Sequence, residues 1–363
     1  MKENLTNYPN HDKLSSVKFL GLDVNLPVFL FTSGLTILFS SLVLIFPEAS
    51  TELLSDTRNF VLNWFDTLFT VSMSSFILVI FFLIISPFGK IRLGGDGSIP
   101  EFGFISWTCM LFAAGVGIGM TFYGAAEPLS YYTGVFGTPL NVSPGTEEAY
   151  RLAFSATIFH WGLSGWSVYA IIGLSLAFFS YNWKLPLTIR SIFYPLLGNR
   201  IWGWQGDLID IIAVLATLFG LATSLGLGAQ QASAGLLYIF ELPNNILSQS
   251  LIIIFITSVA IFSVFRGLDR GVRVLSNINI GLALILLTFV VIAGPTVKIL
   301  LSYGDNLVNY FQDIVRLSNW NRPDDEAWYH DWTIFYWAWW ISWSPFVGMF
   351  IARISKGRTI REF

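Results

Sequence analysis

Ala113-Ala114-Gly115-Val116-Gly117-Ile118-Gly119 lies near the middle of an apolar run from 102 to 125. An α-helix needs about 20 such residues to cross a hydrocarbon core. Three glycines in five positions work against that helix, because each weakens it by roughly 1 kcal/mol relative to alanine. The stretch therefore predicts a membrane helix that unwinds at its centre. Unwound backbone is tolerated at membrane depth only where it lines a cavity, and there its N–H groups can meet a carboxylate and its carbonyls a cation. The competing reading is close helix packing, since Gly115 and Gly119 form a small-xxx-small pair.

Similar apolar runs flank it at 27–46, 66–86, 152–180, 208–240, 247–265, 274–302 and 331–353, eight spans in all. With 54% apolar and 12% charged residues, a soluble domain is excluded. Lipid cannot satisfy backbone polar groups, so the expected fold is an all-α polytopic membrane protein. The first 26 residues form a mostly polar segment without a small-residue cleavage site, so the first span is expected to be retained. Cys109 stands alone inside an apolar run and excludes an internal disulfide framework.

Fifteen of the 20 Lys and Arg residues fall in the amino-terminal segment and in the connectors after spans two, four, six and eight. By the positive-inside rule, both ends of the chain are expected on the cytoplasmic side. Between spans seven and eight, Leu307, Tyr310, Phe311, Ile314, Val315 and Leu317 recur at helical spacing. They predict an amphipathic helix on the outer surface within 303–330.

Two spans are rich in aromatic residues. Span four carries Trp161, Trp166 and Tyr169, which a continuous helix would place at about 0°, 140° and 80°, within one half of its surface. Span eight carries Trp339, Trp343, Phe346 and Phe350 as one stripe, with Trp340 beside it. Tryptophan ordinarily prefers the membrane interface, so clusters at mid-span call for a reason. A trimethylammonium group has no N–H to donate. Several ring faces can replace its water, at about 2 kcal/mol or more when desolvated. Aromatic packing within the bundle is the plainer account of either stripe alone.

Isolated polar residues fit structural roles. His160 is expected to hydrogen-bond to a neighbouring helix rather than relay protons, and Glu127 to sit at the outer boundary just after span three. Asp331 is expected to cap span eight, while Asp207 and Asp210 open span five. No paired carboxylates, nucleophile–base pair or ligand cluster falls within the spans, so no enzyme is expected.

Asp331-Trp332-Thr333-Ile334-Phe335-Tyr336-Trp337-Ala338-Trp339-Trp340 resembles the signature of the betaine/choline/carnitine transporter family. Phe159-His160-Trp161-Gly162-Leu163 with Trp166 and Tyr169, Gly115 to Gly119, and Gly124-Ala125-Ala126-Glu127-Pro128 match family segments in the same order. The resemblance implies a LeuT-type inverted-repeat transporter: leading helices in 27–86, a first five-helix repeat in 102–302, and the first helix of a second repeat in 331–363. The chain ends at Phe363, just past the eighth span, so the resemblance implies a fold truncated there, with four helices of the second repeat absent. It further implies a homotrimer in the bacterial inner membrane, with no nucleic-acid partner.

Carried over by position, Trp161, Trp166, Tyr169, Trp339, Trp340 and Trp343 form the substrate's aromatic site, with Gly115, Gly117 and Gly119 contributing. Betaine carriers of the family have glycine at the position of Gly119, whereas choline carriers tend to place an acid there. The expected activity is therefore import of glycine betaine or a related quaternary-ammonium osmoprotectant. Sodium coupling would use Ala113, Val116 and Phe346 with hydroxyls of the fifth span, where Thr217, Thr223 and Ser224 are available but not assigned. Span five from Asp207 to Phe240 has no Lys or Arg, the residue type that sodium-independent exchangers place there, although Val116 replaces the methionine of a sodium-coupled relative. No cofactor beyond Na⁺ is implied. The alternatives are a proton-coupled or exchanging carrier of carnitine, choline or ectoine, and a non-transporting membrane receptor or assembly subunit.

Overall fold

The computed structural model describes residues 16–19, 22–115, 117–267, 271–322 and 324–363. The expectation of an all-α chain needs one correction: Ser16–Phe19 (β1) and Leu22–Asn25 (β2) pair as a short antiparallel hairpin. Helix α1, Leu26–Ile45, follows at once, because the Asn25 side chain accepts from Val28 N–H and Pro27 occupies the first turn. Helix α2 runs over Pro47–Ile85. It thus begins well before the predicted span at 66–86. Its early turns carry Glu48, Glu52, Asp56, Asn59, Asn63 and Asp66 three or four residues apart, a polar stripe that keeps a helix soluble outside the lipid.

The predicted span at 102–125 is two helices, α3 (Phe104–Gly115) and α4 (Ile118–Thr133), whose axes differ by 59°. The break falls at the glycine cluster, where helix propensity is lowest. Span four is likewise split, into α5 (Glu147–Trp161) and α6 (Leu163–Tyr181), around Gly162. A Cβ on Gly162 would lie 2.5 Å from the Ile158 carbonyl oxygen, so only glycine permits this joint. Helices α7 (Trp204–Phe240), α8 (Ile246–Phe265) and α9 (Arg273–Ala293) follow the remaining apolar runs. Gly294-Pro295 ends α9 short of the predicted boundary at 302, and α10, Thr296–Leu317, continues as the amphipathic helix. It packs on α5, burying Tyr310, Asp313 and Leu317 there, and Asp313 pairs with Arg151 and Ser155. The last long helix, α11, covers Phe335–Ile354.

Among the described residues, six helical spans are long and apolar enough to cross a membrane, with α5 and α6 counted as one, and seven if α3 and α4 form one bent span. The eighth predicted span, α11, is not among them. Its tryptophans and Tyr336 lower its hydropathy, and it is buried instead: α11 lies along α6 and α7. The connectors after α2, α6 and α11 meet at one end of the molecule. Leu93 N–H donates to the Arg358 carbonyl, Gly357 N–H to the Leu93 carbonyl, and Gly94 N–H to Asn182 Oδ1. Lys90, Arg92, Lys184, Lys356, Arg358 and Arg361 belong to these connectors.

Candidate functional site

A cavity of about 750 Å³ opens beside the break between α3 and α4, within the range of small-molecule sites. Ala113, Gly115, Gly117, Gly119 and Met120 supply one wall, and Trp339, Trp340, Trp343, Phe346 and Phe350 of α11 another. Trp161, Tyr169 and Ser224 also line it, as do Val264, Ser276 and Arg353. Val116, named above for sodium, lies outside the described residues. Among the described residues no side chain caps the first-turn N–H groups of helix α4, and a helix start favours an anion.

The aromatic rings converge. Ring centroids lie 6.2 Å apart for Trp161 and Trp339, 5.8 Å for Trp161 and Trp340, and 4.8 Å for Tyr169 and Trp340. Trp166 is not on the cavity wall. It stands behind it, 6.1 Å from Tyr169 and 6.2 Å from Trp340, against the missing side chain of Gly115. A Cβ at Gly115 would lie 2.0 Å from the Trp166 ring, which is why glycine is needed there. The phase argument that grouped Trp166 with Trp161 assumed an unbroken helix, and the joint at Gly162 separates them. Gly119 performs the same service in front: its imagined Cβ would meet Trp161 at 3.0 Å and Trp339 at 3.2 Å.

Each indole N–H on the wall is held by protein. Trp161 donates to Glu127 Oε1 at 2.5 Å, Trp340 to the His160 carbonyl at 3.0 Å, and Trp339 and Trp343 to Ser224 Oγ at 3.2 and 3.1 Å. With their donors used, the four indoles have only π-faces and C–H edges left to offer. Such a lining cannot recognise a ligand by donating indole N–H bonds. It suits a methylated cation, whose charge is spread over C–H groups.

The helix does not end before Glu127. Helix α4 continues past Pro128 to Thr133, and the Glu127 side chain is fully buried. Its carboxylate accepts from the Trp161 indole and the Tyr131 hydroxyl, and lies 3.2 Å from His160 Nδ1. A buried charge survives only with such partners. The clue in the sequence was the Glu-Pro pair, read as the end of a span when helix α4 runs on through it. His160 also reaches Thr333 on the helical turn leading into α11, at 3.0 Å, so it bonds across helices. Asp331 does not cap a helix. It lies inside a helical stretch that has already begun at Glu326, and it pairs with Arg58. Asp207 and Asp210, in the early turns of α7, hold Arg190, and Asn25 donates to Asp207 at 3.3 Å. Thr217 and Thr223 donate to the carbonyls of Ala213 and Phe219 within α7. Tyr123, not singled out in the sequence, stacks on Trp161 at 6.3 Å.

A sequence model of the betaine/carnitine/choline family transporters matches residues 27–363. The chain is 50% identical over 349 residues to a glycine betaine/proline/choline/ectoine transporter of Vibrio parahaemolyticus, covering 96% of this chain and 62% of that protein. It is also 50% identical over 349 residues to glycine betaine transporter 1 of the same organism, covering 96% and 66%. Against a high-affinity choline transport protein of Escherichia coli, identity is 41% over 344 residues, covering 94% of this chain and 50% of that protein. The chain thus spans half to two thirds of the length of these relatives. Matched over almost its whole length, it belongs to the betaine/carnitine/choline transporter family.

Proposed function

We propose that this chain forms the substrate-binding part of a secondary active importer of glycine betaine or a closely related quaternary-ammonium osmoprotectant, driven by sodium. The observation that carries this reading is the tethering of all four indole N–H groups onto Glu127, the His160 carbonyl and Ser224, which leaves none of them to donate to a ligand. The trimethylammonium group sits among Trp161, Tyr169, Trp339, Trp340 and Trp343, with Trp166 as the backing layer. Its carboxylate approaches the amides at the start of α4, beside Gly117 and Gly119. Glycine at 119 leaves no acid to balance an uncompensated cation, which favours a zwitterion over choline.

Sodium binds through carbonyls at Ala113 and Val116, near Phe346, with α7 supplying hydroxyls. The absence of Lys and Arg between Asp207 and Phe240 supports a bound ion over a built-in cation. The full carrier follows the LeuT-type inverted-repeat plan: leading helices in 27–86, a first repeat in 102–302, and a second beginning at 331. It works as a homotrimer in the bacterial inner membrane, with both ends of this chain cytoplasmic. The meeting of basic connectors at one end of the molecule supports that orientation.

Uptake of labelled betaine by proteoliposomes of the full-length carrier, with and without a sodium gradient, tests the reading. Uptake is expected only with the gradient. Equal uptake in both conditions removes the coupling, and preferential uptake of choline removes the substrate assignment.

A further inference from the structure

Helix α10 turns one face to α5, with Tyr310, Asp313 and Leu317 buried at three- and four-residue intervals, while Phe311 and Val315 stay exposed. Asp313 anchors that face to α5 through Arg151 and Ser155. Tyr310, one turn earlier and only 2% exposed, reaches past α5 to the joint at Gly162. Its hydroxyl oxygen faces the Ser164 hydroxyl and the Leu163 N–H. Both hydroxyls are buried, and in this structure neither closes a complete hydrogen bond. A buried tyrosine hydroxyl ordinarily has a partner. The joint needs one too. The first N–H groups of a helix have no partner within it, and a Ser, Thr, Asp or Asn just before the helix usually accepts from them. Position 162 cannot carry such a side chain, because a Cβ there would lie 2.5 Å from the Ile158 carbonyl oxygen, and α6 starts without a side-chain cap. An acceptor has to come from elsewhere in the fold, and the Tyr310 oxygen stands in place for it.

We propose that Tyr310 is a positioning residue for the cavity: from α10 its hydroxyl caps the first turn of α6, and so fixes the angle of the joint at Gly162. That turn has little slack on its other sides. A Cβ at Gly165 would lie 2.3 Å from the Trp340 ring, and Trp166 fills the space that a side chain at Gly115 would need. Trp161 stands just before the joint on the cavity wall, and Tyr169, one turn beyond Gly165, lines the same wall. A change of angle at Gly162 therefore moves Tyr169 and Trp340 relative to Trp161. The attraction between a cation and a ring needs the ring within about 6 Å, so rings that drift apart no longer act on one ligand together. Helix α10 contributes nothing to the cavity wall, yet through one hydroxyl it sets the spacing of the rings that do. The effect on transport rests on the reading of the cavity as a quaternary-ammonium site; the cap itself does not.

Two measurements on the full-length carrier test it. Hydrogen–deuterium exchange over 159–170 in detergent needs no ligand. Tyr310→Phe keeps the ring and removes the hydroxyl, and exchange in this segment is expected to quicken roughly 2- to 10-fold, as loss of one hydrogen bond does, with exchange over 273–293 unchanged. In proteoliposomes the KM for betaine uptake is expected to rise roughly 3- to 10-fold in the same variant, with kcat within about 2-fold. Leu317→Ala opens a gap in the same face of α10 two turns away, and is expected to lower the unfolding temperature while leaving the KM unchanged. That split separates positioning from a general loss of packing. Unchanged exchange over 159–170 in Tyr310→Phe overturns the cap. Quickened exchange with an unaltered KM, or an equal rise of KM in Leu317→Ala, overturns the positioning role. Wild-type carrier that takes up no betaine sinks the quaternary-ammonium reading instead, and the exchange comparison still decides the cap.

Discussion

Helices α5 and α6 together are half buried over their most apolar window, at a mean hydropathy of 1.6, whereas α8 and α9 reach 2.2 and 2.3 and are only 6% buried. In a soluble protein the order would be reversed. In a membrane the most apolar helices can face lipid, and residues that lipid will not accept collect in the interior. Glu127, His160, Tyr131 and Thr333 are each buried and bonded to one another, next to the tryptophans they help to orient. The polar side chains of the interior thus come from α4, α5 and the turn leading into α11, and not from the most apolar helices.

The largest effect should come from the inner region. Trp161→Ala or Trp339→Ala removes a desolvated ring worth about 2 kcal/mol to a methylated cation, and the KM for betaine uptake is expected to rise about 30-fold. Phenylalanine at either position should recover part of that loss. Next comes Glu127→Ala, which strands the Trp161 indole and the Tyr131 hydroxyl without an acceptor. Thermal unfolding in detergent should report a loss of about 1–3 kcal/mol, and Glu127→Gln, which keeps an acceptor oxygen, clearly less. Equal losses would mean that the charge, rather than the acceptor, is what the site needs.

On the outer region the same measurements should barely move. Ile254 is 61% exposed on α8, and Ile254→Ser is expected to change the KM by less than about 2-fold, as substitutions away from packed features do. A shift as large as that of Trp339→Ala would erase the contrast between the two regions. The smallest effect concerns Glu101, just before the start of α3, and Arg353 in the last turn of α11, paired at 2.8 Å. The hydrogen bond from Arg353 holds the Glu101 carboxyl below its usual range. The stability from this pair is present above the unfolded-state carboxyl pKa and is lost as pH falls through the lower folded value. Both partners are more than a third exposed, so Glu101→Gln should cost well under about 1 kcal/mol at pH 7 by thermal unfolding, and nothing in acid.

Much of the architecture was legible because its signals are local. Apolar runs set by bilayer thickness and the glycine cluster that breaks the third span both act over a few residues. The stripe of α11 was legible for the same reason, since a single regular helix fixes the phase of its side chains. Where regularity failed, so did the reading. A glycine joint between Trp161 and Trp166 put one ring on the cavity wall and the other behind it. The polar early turns of α2 fell outside the predicted span at 66–86, although their three- and four-residue spacing is helical.

The amino-acid sequence alone determined that this chain is a bundle of membrane helices, where one of them must break, and that two of them bring tryptophan to mid-span, since each follows from the spacing of residues along one segment. Which way those indoles turn was decided only by tertiary structure. Glu127 lies 34 positions before Trp161, and Ser224 lies 115 before Trp339 and 119 before Trp343. No local rule relates residues so far apart. The bonds that occupy each N–H and fix each ring at the cavity exist because α4, α5, α7 and α11 pack around one space.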